Sequence, residues 1–104
     1  GKTEEEYKSE CKNVSYKDIA RNPDTYVGNL VKFYGKVVQV QESGKRIVIR
    51  LNVTRGSYGL WEDTVYIDYT KTEGESRILE EDMITVYEKF SNGELLKMLR
   101  FFRF

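Results

Sequence analysis

Residues 30–43, LVKFYGKVVQVQES, alternate apolar and polar side chains but change phase partway, and this slip constrains the fold more than any other feature. Val31, Phe33, Gly35 and Val37 share one face, with Lys32, Tyr34 and Lys36 on the other; beyond them Val38 and Val40 are the apolar positions and Gln39 and Gln41 the polar ones. A period of two is that of a strand. An inward face that changes parity needs an extra residue, which a β-bulge supplies while bending the strand, and a glycine inside a strand often marks such a bend. The run therefore predicts a bent strand wrapping a small barrel.

Ser43-Gly44 closes a hairpin into a second strand, with Ile47, Ile49, Leu51 and Val53 inward and Val48, Arg50 and Asn52 outward. A loop over residues 54–63 has Gly56 and Gly59 for flexibility and Tyr58 and Trp61 for apolar mass. A third strand puts Val65, Ile67 and Tyr69 inward, and after an acidic connection a fourth runs from Met83 to Phe90 with Ile84 and Val86 in the core. The polar opening GKTEEEYKSECK, acids first and lysines later, suits a short surface helix. Ser15, an N-cap residue with Asp18 three positions on, begins a second helix that stops at Pro23, and Asp24–Gly28 form a turn. Ser91-Asn92-Gly93 is a second turn. The tail fits helical spacing, with Leu95, Met98, Leu99 and Phe102 on one side and Lys97, Arg100 and Arg103 on the other, so it is read as a short amphipathic helix.

A chain of 104 residues has the size of one domain. Residues 1–29 are its helical lead-in, 30–90 its barrel strands and 91–104 its irregular tail. The expected fold is mainly β, a small OB-type Greek-key barrel with one or two short N-terminal helices and four to five strands, according to whether the closing strand is complete.

The chain has no histidine and one cysteine, Cys11. That removes an internal disulfide, zinc sites built on His or Cys, and Ser-His and Cys-His nucleophile pairs. No enzymatic role, cofactor or metal is expected. No apolar run has the length of a membrane-crossing helix. Net charge is zero but unevenly spread: residues 31–60 hold six bases against Glu42, a balance of +5, and residues 61–95 hold ten acids against Lys71, Arg77 and Lys89, a balance of −7. The field is dipolar.

Asn22-Pro23-Asp24-Thr25-Tyr26-Val27-Gly28 followed by Val31-Lys32-Phe33-Tyr34-Gly35-Lys36-Val37 resembles the opening of the tRNA_anti-like OB domains of secreted lipoproteins in Gram-positive bacteria. Trp61–Tyr66 and Ile78–Tyr87 look like that group's third and fourth strands, so the resemblance spans about residues 7 to 90. It implies an OB barrel and an extracellular or cell-surface setting with a lipid-anchored precursor. The chain departs from the group at Glu88, where relatives place glycine, and in its short tail where relatives have a fifth strand. A missing fifth strand would leave an open edge, which invites a homodimer or strand exchange.

The expected function is a non-enzymatic binding or protein-interaction module for an unknown protein or anionic ligand. Its candidate site is Tyr34, Lys36, Arg50, Tyr58, Trp61 and Tyr66, the bases meeting an anionic partner and the aromatics stacking or packing. The alternative is single-stranded nucleic acid on the basic 31–60 hairpin, which the acidic second half disfavours. Several features have simpler readings. Trp61 is expected to cap a barrel end, Glu80-Glu81-Asp82 to be a solvated turn rather than a calcium loop, and Cys11 to pack. The acceptor patterns at Asn13 and Asn52 are too short to be informative.

Overall fold

A computed structural model of the chain describes residues 3–90 and 95–103. The lead-in is helical: α1 (Glu4–Glu10), the two-residue strand β1 (Lys12–Asn13), α2 (Tyr16–Arg21) and α3 (Pro23–Tyr26). Thr3 caps α1 in a reciprocal capping box with Glu6, and the Ser15 hydroxyl accepts from the Asp18 amide at 3.2 Å to start α2. Pro23 ends α2 as expected, but the predicted turn after it is the single helical turn α3. Proline is tolerated in a first helical turn because its missing N–H would have no partner there.

The barrel strands are β2 (Leu30–Ser43), β3 (Arg46–Arg55), β4 (Trp61–Thr70), β5 (Met83–Lys89) and β6 (Leu95–Arg103). Their pairings run β2–β3–β4–β6–β5 and return to β2, with β4–β6 parallel and the rest of the ring antiparallel. This is a small OB-type barrel. β1 adds in parallel to β2, tying the lead-in to the wall.

β2 serves two neighbours in turn. Leu30–Lys36 pair with β5, and Lys36–Ser43 pair with β3. The switch is made by the bulge that the phase slip predicts, a register shift between Val37 and Gln39 opposite Arg50. At Gly35, a Cβ would run into the carbonyl oxygen of Asn52, so the glycine permits two backbones to approach where β2 bends.

The inward faces supply the core: Val31, Phe33 and Val37 from β2, Ile47, Ile49 and Leu51 from β3, Val65 and Ile67 from β4, Ile84 and Val86 from β5. Ile19, Ile78 and Phe90 join from outside the strands. Each fully buried Ile or Leu stabilises the fold by about 1.5–3 kcal/mol through burial.

The tail corrects two expectations. It is the strand β6, not an amphipathic helix, and it pairs with both β4 and β5, so the fifth barrel strand is present and no open edge arises from its loss. Helical spacing is the better local fit of these nine residues, and pairing with two waiting strands overrides it. The turn expected at Ser91-Asn92-Gly93 lies outside the described residues.

Candidate functional site

The outward positions of β2, β3 and β4 form rows across the barrel wall. In one row Gln39 and Tyr66 flank Arg50. Arg50 Nη1 donates to Gln39 Oε1 at 3.3 Å, and its guanidinium lies 5.3 Å from the centre of the Tyr66 ring. The side chain is thus held between two neighbours, and a guanidinium has five N–H donors, more than this one bond uses. The next row is Lys36, Asn52 and Thr64. Thr64 Oγ1 donates to Asn52 Oδ1 at 2.6 Å, and Asn52 Nδ2 donates to the Trp61 carbonyl at 3.0 Å. Asn52, one of the two acceptor-pattern asparagines, is therefore engaged in fixing Trp61.

Trp61 is half-buried and meets Tyr34 edge to face, ring centres 6.0 Å apart at 75°. That offset geometry suits the aromatic quadrupoles. Beyond it, the loop between β3 and β4 projects Tyr58, 98% exposed, and Leu60, 67% exposed. Tyr58 has φ 61°, in the left-handed region that a bulky side chain rarely adopts.

The structure therefore gathers five of the six predicted residues on one continuous face: Tyr34 with Trp61, Arg50 with Tyr66, and Lys36 in the row between. Tyr58 stands apart at the loop tip. Sequence reasoning passed over Gln39, which steadies Arg50, and Leu60, which shares the tip; strand parity signals the first, loop position the second. It also passed over a smaller cluster in which Lys8 and Lys32 approach the Tyr87 ring at 5.5 Å and 5.9 Å. On the same wall the Arg46 guanidinium grips Asp68 with two bonds, 3.1 Å and 2.6 Å, so the local charge is not all positive.

Glu88, which the sequence marks only as a departure from the lipoprotein group, is a buried acid. It lies opposite Val31 with 0% exposure, and neither carboxylate oxygen has a hydrogen-bond partner among the described residues. Burial holds its carboxyl well above the usual carboxylate range. The inward parity of Ile84, Val86 and Glu88 carried this signal. Nearby Cys11 is buried too, and burial, ahead of its neighbours' charges, pushes its thiol up, away from a reactive thiolate.

Among the described residues no group of three or more His, Cys, Asp or Glu side chains is placed to hold a metal ion. In the acidic turn, the Asp82 carboxylate accepts from the Leu79 amide at 2.9 Å. No described helix is long and apolar enough to cross a membrane. No family model matches the chain, and no curated protein matches it.

Proposed function

We propose that the chain is a non-enzymatic binding module whose outer β2–β4 face and adjoining loop engage an acidic protein partner, and that it works at a bacterial cell surface. The observation that carries the reading is the loop tip. Tyr58 combines almost complete exposure with a left-handed backbone, beside exposed Leu60, and neither feature serves the chain's own core. Strained backbone tends to occur where function requires it, and Tyr, Trp and Arg are the residues that dominate binding interfaces. Behind the tip, Tyr34–Trp61 and Arg50–Tyr66 are pre-assembled, which lowers the ordering cost of binding. Lys36, Arg50 and Arg55 supply positive charge, and none is ion-paired among the described residues. The cell-surface setting is supported by the resemblance to lipoprotein OB domains.

Single-stranded nucleic acid is the second reading, favoured by the cation and aromatic pair on the β3–β4 wall, where OB folds bind strands. One titration separates the two. Trp61 emission and amide shifts are followed with a labelled hexaglutamate peptide and with a dodecamer of thymidylate. The peptide is expected to shift Arg50, Tyr58 and Trp61, and the Tyr58→Ser/Arg50→Ala double variant to weaken it about tenfold or more. Tighter binding of the oligonucleotide, with affinity falling steeply in salt, would replace the protein reading. No response to either probe overturns both.

A further inference from the structure

Past Lys36, β2 has a neighbouring strand on a single side among the described residues. β5 accompanies β2 only from Leu30 to Lys36. At Val37 the connection before β5 takes over: the Val37 amide donates to the Asp82 carbonyl at 2.9 Å, and the Val37 carbonyl accepts from the Glu81 amide at 2.7 Å. Beyond that, no backbone bond from the connection reaches Val40 or Glu42 among the described residues.

The register says which way those backbone groups point. Ser43 and Arg46 flank the two-residue turn Gly44-Lys45, and in such a hairpin the flanking residues form a bonded pair. Bonded and non-bonded pairs alternate in an antiparallel ladder, so Gln41 and Gln39 bond to β3. The N–H and C=O of Val40 and Glu42 then point away from β3. They point into an open groove of about 470 Å³, with Val40 and Glu42 on one wall and Arg77, Ile78, Leu79 and Glu80 on the other.

We propose that this free side of β2 takes up a short extended peptide of alternating apolar and basic residues as an added strand. Main-chain bonds to Val40 and Glu42 would hold it, the mode by which exposed sheet edges bind extended segments, with alternate side chains giving selectivity. Apolar side chains find half-buried Val40 and Leu79, the latter 58% exposed and otherwise an unexplained apolar group on a charged connection, while Ile78 lines the groove but belongs to the core. Basic side chains find Glu80 and Glu42. Glu42 is held by Arg77 at 2.8 Å across the groove, an exposed ion pair of the weak and salt-screened kind, which a peptide lysine can replace. The bulge at Val37–Gln39 and the shortness of the free stretch limit the site to a few residues and guard it against sheet growth. This site is separate from the outer face, and each stands or falls without the other.

The test is amide hydrogen exchange of the full chain with and without the capped pentapeptide Lys-Val-Lys-Val-Lys at millimolar concentration. In the free protein Val40 and Glu42 exchange fast while Gln39 and Gln41 are protected; with peptide, Val40 and Glu42 slow by about tenfold or more. Leu79→Lys, a change at an exposed position, abolishes the slowing while Gln39 and Gln41 stay protected, which reports an intact barrel. Arg50→Ala leaves it unchanged. Exchange at Val40 and Glu42 unmoved by the peptide overturns the proposal, as does slowing that survives Leu79→Lys. Protection that grows with protein concentration alone assigns the edge to a second copy and overturns the peptide assignment.

Discussion

The two halves of β2 are one strand under two regimes. Leu30–Lys36 pair with β5 throughout, Val31 and Lys32 pair also with Lys12–Asn13 of the lead-in, and the inward residues Val31 and Phe33 sit deep in the core. Val38–Ser43 have β3 on one side and a groove on the other; Val38 is exposed and Val40 only half-buried. Both halves alternate apolar and polar positions, Val31 and Phe33 with Lys32 and Tyr34 in one, Val38 and Val40 with Gln39 and Gln41 in the other, so alternation alone does not make the difference. Company does: a strand's contribution to stability depends on what its faces and edges meet. The closed half should carry the stability, leaving the other half and the outer wall available to ligands.

The comparison breaks most readily by truncating one apolar group on each side. Ile84, fully buried on β5 opposite Gly35, should cost about 2–5 kcal/mol when changed to alanine, through lost burial and the cavity left behind. Leu79→Ala in the groove should stay within about 0.5 kcal/mol, as exposed substitutions do. Urea unfolding of both variants is the measurement. Similar losses would mean that the groove side is packed as tightly as the closed side.

Glu88 sharpens the comparison, because it puts a group at odds with its surroundings against the closed half. Its carboxyl is buried opposite Val31 and raised well above the ordinary 4.5 by that burial. The neutral form is therefore the one the fold favours. Stability associated with it is greatest below the unfolded value and is lost as pH rises above about 4.5 toward the raised folded value, at up to roughly 1.4 kcal/mol per pH unit. Urea midpoints of the wild type should fall across that window, and Glu88→Gln should remove the fall. Parallel profiles for the two proteins would show that Glu88 is not the group responsible.

How much of this was legible in the residues depends on how local the cause is. The phase slip, the inward faces of β3 and β4, and the serine that starts α2 are set by near neighbours and are legible in the residues, except that Val38, expected on the inward face, is the bulged residue and is exposed. The tail is not legible, because its local spacing favours a helix and the strands that recruit it, β4 above all, are set by the register of the whole barrel. The outer-face residues were identifiable by parity, whereas the contact of Trp61 with Tyr34 requires the register of three strands. The groove beside Val40 had no sequence signal of its own: an edge is defined by where β5 stops, and the sequence around Val40 does not encode that.

The smallest effect bears on the open half alone. Glu42 and Arg77 are the ion pair that spans the groove, and both side chains retain solvent access. Attraction at a wet surface is offset by the entropy of holding two long side chains together, so a double-mutant cycle of Glu42→Gln and Arg77→Gln should give a coupling below about 1 kcal/mol, shrinking further in high salt. A larger coupling that persisted in salt would be the signature of a desolvated pair. It would mean that the connection is clamped onto β2, that the space between them is not available to a third strand, and that the two halves differ less than their pairing suggests.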